Sequence, residues 1–226
     1  MKIDRQKSSN LFFNFGIFFL ASAPSISIIF FLFPIYFGLR QNFRNILKDK
    51  LNYLLAAASI FMLIKSTITS IFFKDTLKDW HHSLNWIGLG NWLPLFFIYL
   101  VFQSYLETKS QREKTIKYLL AGSVPILFSC LSQYFLGWFG PYEILNGFIV
   151  WFQKPLTESN QPVSGLFNNP NYTGVWLSLI WPFSLALMIK YKEKSFYAKS
   201  FIIFLLNSTI VLALSLVNSR GSWLGL

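Results

Sequence analysis

The stretch LFFNFGIFFLASAPSISIIFFLFPIYFGL, residues 11–39, decides how this chain is organised. As one helix its 29 residues would measure about 43 Å. That is longer than a comfortable crossing of a hydrocarbon core about 30 Å thick, and short for two crossings. Charge separates the two readings. Fifteen basic residues gather in four clusters: Lys2, Arg5 and Lys7; Arg40, Arg44, Lys48 and Lys50; Lys109, Arg112, Lys114 and Lys117; Lys190, Lys192, Lys194 and Lys199. If residues 11–39 form a hairpin of two short spans turning near Ala23-Pro24-Ser25, all fifteen lie on one side. Only Lys74, Lys78, Lys154 and Arg220 lie on the other, with Lys65 inside a span. A single long span would strand the N-terminal cluster on the wrong side. The asymmetry is that of the positive-inside rule. Pro24 supports the turn, because the residue before a proline is pushed out of the helical region. A cleaved leader is the competing reading: a basic start, the apolar residues 11–20, and Ala21-Ser22-Ala23 as the cleavage site. Proline directly after that site hinders cleavage, and this reading leaves the topology downstream unchanged.

Composition agrees with a membrane chain. Of 226 residues, 54% are hydrophobic and 13% charged, where a soluble domain carries about 25% charged residues. With 26 Phe and 8 Trp, the apolar surface exceeds what a soluble fold of this size can bury. This excludes a soluble enzyme, a disordered tail and a disulfide scaffold. Cys130 is the sole cysteine, so neither an intrachain disulfide nor a multi-cysteine metal site is available. The expected fold is all-α: a polytopic integral membrane helix bundle of about seven spans, one membrane domain over residues 1–226. Its spans are the hairpin 11–39 and runs near 51–73, 91–106, 116–139, 171–189 and 201–217, with the N-terminus cytoplasmic. The net charge of +11 is then a topology code and calls for no nucleic acid.

Three segments face outward in this scheme: 74–90, 140–170 and the stretch from about Asn218. The first holds Trp80, His81, His82 and Trp86, residues suited to the headgroup layer. Adjacent histidines diverge on a helix and are poorly placed as joint metal ligands, so no metal is expected there. Within the outer interfacial segment 140–165, GPYEILNGFIVWFQKP (140–155) is too short to span. It reads as a helix lying in the interface, or as a loop packed on the bundle.

Next comes Phe167-Asn168-Asn169-Pro170-Asn171. Asn169 suits an N-cap and Pro170 the first helical position. A membrane helix starting here would present free backbone N–H groups and a positive dipole end, a ready anion site, or would be a helix start and nothing more. Arg220 follows the last span and returns to the same side. A guanidinium beside a helix N-terminus suits phosphate, and an arginine snorkelling to headgroups is the plainer reading. Lys65, flanked by Ser66, Thr67 and Thr69, either faces a polar cavity or snorkels outward. No nucleotide-binding loop, nucleophilic triad or carboxylate pair is visible, and no cofactor is called for.

GLFNNPNYTGVWLSLIWPFSLAL (165–187) and LVNSRGSWLGL (216–226) together resemble the O-antigen ligase and polymerase family of bacterial membrane glycosyltransferases. NWIGLGNWLPLF (85–96), AGSVPIL (121–127) and SQYFLGWFGPYEILNGFIVWFQKPL (132–156) resemble its ligase-like branch common in cyanobacteria. The resemblance implies a multi-pass protein of the bacterial inner membrane. Such a protein moves a glycan from a polyprenyl diphosphate carrier to a lipid or glycan acceptor at the outer face. It further implies that Arg220, matching the arginine of the Ser-Arg-Gly motif, contacts the diphosphate; Asn169 and Asn171 at the helix start and the intramembrane Lys65 are further candidates from their own chemistry. The family's catalytic histidine lies in a large loop beyond that motif, and its role does not transfer to His81 or His82. The resemblance therefore implies the N-terminal portion of such an enzyme, inactive by itself and without an assigned catalytic residue. A transporter of the bicarbonate-uptake kind and a non-catalytic membrane assembly protein are the alternatives.

Overall fold

A computed structural model of the chain describes residues 2–72, 83–157, 161–193, 197–219 and 221. Helices dominate: α1 (Lys2–Phe19), α2 (Pro24–Lys48), α3 (Lys50–Phe72), α4 (Ser83–Phe102) continued by a 3-10 turn (Gln103–Tyr105), α5 (Lys109–Gly122), α6 (Val124–Leu136), α7 (Pro170–Glu193) and α8 (Tyr197–Val217). Among the described residues, five helical stretches are long and apolar enough to cross a membrane: Lys50–Phe72, Trp86–Tyr105, Lys109–Leu136, Pro170–Tyr191 and Tyr197–Val217. They fall where five of the apolar runs predict spans. The run 11–39 does turn back on itself, with Pro24 as the first residue of α2. Its limbs are short, however. The apolar part of α1, residues 11–19, measures about 14 Å, and the apolar part of α2, Pro24–Arg40, about 25 Å.

The chain divides into two compact units. The first comprises residues 1–10 and 32–112. Its buried polar contacts tie helix ends together. The Tyr105 hydroxyl donates to the Pro34 carbonyl at 2.8 Å and shares a hydrogen bond with the Ser9 hydroxyl. Gln103 Nε2 donates to Asn52 Oδ1 at 3.2 Å, and Asn52 Nδ2 donates to the Ile46 carbonyl at 2.8 Å. In this unit α3 packs on α4, and the Trp86 indole N–H reaches Ser70 Oγ at 3.1 Å. Most large apolar side chains of α3, including Leu54, Phe61 and Phe72, remain exposed.

The second unit comprises residues 11–31 and 113–226. Its core joins Ile126, Leu127 and Cys130 of α6, Leu177 and Ile180 of α7, and Ile210, Leu214 and Val217 of α8. Residues α5 and α6 share one apolar run, broken at Ser123 with Pro125 in the first turn of α6. The Ser123 hydroxyl bonds back to the Leu119 carbonyl and accepts the Trp176 indole N–H at 3.0 Å. Gly122 lies against the end of α1, where any Cβ would collide with the Phe18 carbonyl oxygen. Charged residues 113–117 and Lys190 and Lys199 gather at one end of this unit. Lys190 pairs with Glu113, and the Lys117 and Lys199 ammonium groups each lie 5.8 Å from the Tyr191 ring centroid.

Residues 140–155 do not form the interfacial helix their apolar character suggests. They fold as an antiparallel β-hairpin, β1 (Tyr142–Ile144) and β2 (Ile149–Trp151), with Glu143 opposite Val150. The turn takes Leu145, Asn146 and Gly147 into positive φ. Asn-Gly is a strong turn signal, and Ile149-Val150-Trp151 favours a strand, so local turn chemistry overrides the apolar run. The peptide between Gly140 and Pro141 is cis.

Candidate functional site

One buried glutamine holds the segment leading into α7, and a second holds the chain after β2 against α6. Gln133 of α6, 1% exposed, uses both ends of its amide. Its Oε1 accepts the Ser164 and Gly165 N–H groups, each at 3.0 Å. Its Nε2 donates to the Lys154 carbonyl at 2.6 Å and to Ser164 Oγ at 3.3 Å. Gln153, just after β2, donates through Nε2 to the Trp138 carbonyl at 3.0 Å and the Ser129 carbonyl at 3.2 Å. An apolar span that buries such groups must satisfy them internally. Here that requirement fixes the chain around the β-hairpin and the turn at Ser164-Gly165 against α6.

Gly165 makes the turn that follows. Its φ is +56°, and a Cβ there would sit 2.9 Å from Cys130 Sγ. The Thr173 hydroxyl donates to the Ser164 carbonyl, and the Val163 N–H donates to the Leu216 carbonyl at 3.2 Å. The loop is thereby bound to the first turn of α7 and the last turn of α8.

Pro170 opens α7 and Asn169 caps it, as the sequence predicts. Asn169 Oδ1 accepts the Asn171 N–H at 2.9 Å, and its carbonyl accepts the Tyr172 N–H at 3.1 Å. The expected free backbone donors are therefore not there. Proline removes one, and Asn169 takes the next ones itself. What this end of α7 offers is its positive dipole together with side-chain amides: Asn168 is exposed, and Asn171 is exposed with its oxygen already engaged.

The group that engages it is Ser219. Helix α8 ends with Asn218 in the left-handed region, φ 48°, a conformation that turns the chain out of a helix. Ser219 Oγ then donates to Asn171 Oδ1 at 2.9 Å. Asn171 at the start of α7 and Ser219 just past α8, 48 positions apart, are thus in contact. Arg220 lies outside the described residues, as do Lys74, Lys78, His81 and His82. Lys65 is exposed on α3 in the first unit, and the Thr69 hydroxyl bonds to its carbonyl at 2.8 Å.

Beside this frame, α6 and the β-hairpin enclose a cleft of about 400 Å³ walled by Phe128, Trp138, Tyr142, Trp151 and Leu166. The Ser129 hydroxyl, on the same wall, is buried without a partner. Gln133, Gln153 and Ser164 have no place among the residues singled out from the sequence. A glutamine inside the apolar run 116–139 is the signal that marks the first, since buried polar groups in a span demand partners. No protein-family model matches the chain, and no match is found among curated proteins or solved structures.

Proposed function

We propose that this is a multi-pass protein of the bacterial inner membrane, of the O-antigen ligase and polymerase type, with a cytoplasmic N-terminus. It holds the diphosphate of a polyprenyl diphosphate-linked glycan where α7 begins and α8 ends, and it presents the glycan to a lipid or glycan acceptor at the outer face. The observation that carries this reading is the Ser219–Asn171 hydrogen bond. The two motifs of the resemblance, far apart in sequence, are joined at a helix N-terminus whose dipole favours an anion. Arg220 follows Ser219 directly and supplies the fixed positive charge and bidentate donor fork that a diphosphate requires. Asn168 and Asn171 add neutral donors, and the aromatic cleft suits the apolar part of an amphiphilic donor. The fifteen-to-four sorting of basic residues supports the orientation.

The test is binding of farnesyl diphosphate to the full chain in lipid nanodiscs, followed by calorimetry. Binding should weaken about tenfold or more in Arg220→Ala, the loss expected when a charge-assisted bidentate pair is removed. Arg220→Lys should recover only part of it. Equal affinity of the wild type and Arg220→Ala, or no binding by the wild type, overturns the reading.

A further inference from the structure

The diphosphate reading uses one end of α7 and α8. The other end carries a charge pattern which that reading does not need. Segments 113–117 and 190–199 hold six lysines against two glutamates. The fold draws members of both onto one ring. Lys117 of α5 and Lys199 of α8 are exposed, and each ammonium lies 5.8 Å from the ring centroid of Tyr191 on α7. The two cations are therefore at most twice that distance apart. Lys190, the residue before the ring, pairs with Glu113. Lys199 is also the third residue of α8, whose first turn has no acidic residue. There the positive end of the helix dipole adds to the lysine's own field.

Sorting of charge across a membrane accounts for lysines at this end. It does not ask lysines of α5 and α8 to converge on one side chain of a third helix. Like charges held this close repel, and a ring returns only a modest cation–π attraction to each. An anion set among them relieves the repulsion. Depth indicates which anion. Tyr191 closes the apolar stretch Pro170–Tyr191, and Lys199 is the third residue of the stretch Tyr197–Val217. Both therefore stand where a crossing helix meets the headgroup layer. Phe201 and Ile202, within one turn of Lys199, are exposed and offer apolar surface to acyl chains. A phospholipid meets the charged and the apolar surface at once, and a soluble phosphate meets only the first.

We infer that the place where Lys117, Tyr191 and Lys199 meet binds the headgroup of an anionic phospholipid. Its phosphate is held by the Lys117 and Lys199 ammonium groups, and its acyl chains lie along α8 beside Phe201 and Ile202. Lysines next to membrane spans attract anionic lipid, each by about fivefold in affinity. The excess of lysine over glutamate also selects against zwitterionic lipids, whose own cationic group it repels. The site lies at the opposite ends of α7 and α8 from Asn171 and Ser219, so it stands independently of any glycan chemistry.

Native mass spectrometry tests it, on the full chain in neutral-detergent micelles titrated with phosphatidylglycerol or phosphatidylcholine. The wild type should retain one phosphatidylglycerol at a lipid concentration about tenfold or more below that needed for phosphatidylcholine. Lys117→Gln/Lys199→Gln should lose that preference. Lys117→Arg/Lys199→Arg should keep it, since a guanidinium also binds phosphate. Lys48→Gln/Lys50→Gln removes the same charge from exposed positions of the first unit and should leave the preference within about twofold of the wild type. An excess of inorganic phosphate should not displace the lipid. If Lys117→Gln/Lys199→Gln does not fold, the two lipids and inorganic phosphate compared on the wild type decide alone. Equal retention of the two lipids, or a preference that survives in folded Lys117→Gln/Lys199→Gln, would overturn the inference. So would an equal loss in Lys48→Gln/Lys50→Gln, which would mean diffuse attraction, or displacement by inorganic phosphate, which would make a soluble phosphate the ligand.

Discussion

Two stretches of nearly equal apolarity have opposite surroundings. Lys50–Phe72 has a mean hydropathy of 1.8 and Lys109–Leu136 of 1.6, yet none of the first window is buried by the protein and half of the second is. Hydropathy reports that a helix can cross a membrane, and the polar residues within it report which face meets protein. In α3 the hydroxyls of Ser59, Thr67 and Thr69 each return to a carbonyl one turn back, at 2.8 Å. Such bonds satisfy a hydroxyl without recruiting a neighbour. In α6 the Gln133 amide is too long and has too many sites for that, and it reaches Lys154, Ser164 and Gly165 instead. The polar interior of the second unit is therefore an organising frame, whereas the polar ties of α3 lie near its ends, at Asn52 and Ser70.

The sharpest way to break this comparison is Gln133→Leu. Leucine has similar bulk but leaves the Ser164 and Gly165 N–H groups and the Lys154 carbonyl unpaired. With about 1–3 kcal/mol for each buried orphan, partly relieved by relaxation, the loss should be about 3 kcal/mol. Equilibrium unfolding of the reconstituted chain followed by tryptophan fluorescence measures it, and a loss below about 1 kcal/mol would mean that the network does not hold the loops. Gly165→Ala should cost about 2 kcal/mol, from a left-handed backbone and contact with Cys130. Adding Cys130→Ala should return part of that, because it removes the sulfur and leaves the backbone strain. A double mutant no better than Gly165→Ala would show that packing against Cys130 is immaterial.

These residues also mark how far the sequence could be read. Spans were legible because a run of apolar residues and its flanking charges are local properties. The hairpin turn at Pro24 and the cap at Asn169 were legible for the same reason. The β-hairpin at 142–151 is hidden by the apolar character of the stretch, and Asn146-Gly147, whose φ values decide the turn, is its one local mark. The Asn169 cap is written in residue type, but its consequence is geometric: a cap that takes the backbone donors leaves few for a ligand. Of the frame around Gln133 and Gln153, only Gln133 leaves a mark in the sequence, as a glutamine inside an apolar run; its partners leave none. Those partners are carbonyls and N–H groups brought together from four segments, and backbone groups leave no trace in residue type. That Ser219 meets Asn171 follows from α7 and α8 running in and back, which the sequence does imply.

The α7 cap offers a smaller effect that separates stability from binding. Asn169→Ala removes the acceptor of the Asn171 N–H and should cost about 1 kcal/mol. Asn169→Asp keeps an acceptor in place and adds a negative charge that the helix dipole favours, so it should match or slightly exceed the wild type in stability. For the proposed diphosphate site the order reverses, because that charge occupies the anion's position. Asn169→Asp should bind farnesyl diphosphate more weakly than Asn169→Ala. If the two variants rank alike in both measurements, the cap is structural and the anion sits elsewhere.

The smallest expected effect belongs to the other side of the comparison. Phe61 lies on α3, 67% exposed. Lipid tails are as apolar as the ring, so neither the folded state nor a helix loose in the bilayer gains by covering it. Alanine is also the better helix former by a few tenths of a kcal/mol. Phe61→Ala should therefore change stability by less than about 0.5 kcal/mol, against about 3 kcal/mol for Gln133→Leu. The same fluorescence assay measures both variants. A loss above about 1 kcal/mol at Phe61 would mean that α3 lies against protein, and the contrast between the two helices would then be one of partner, with lipid no longer the surroundings of α3.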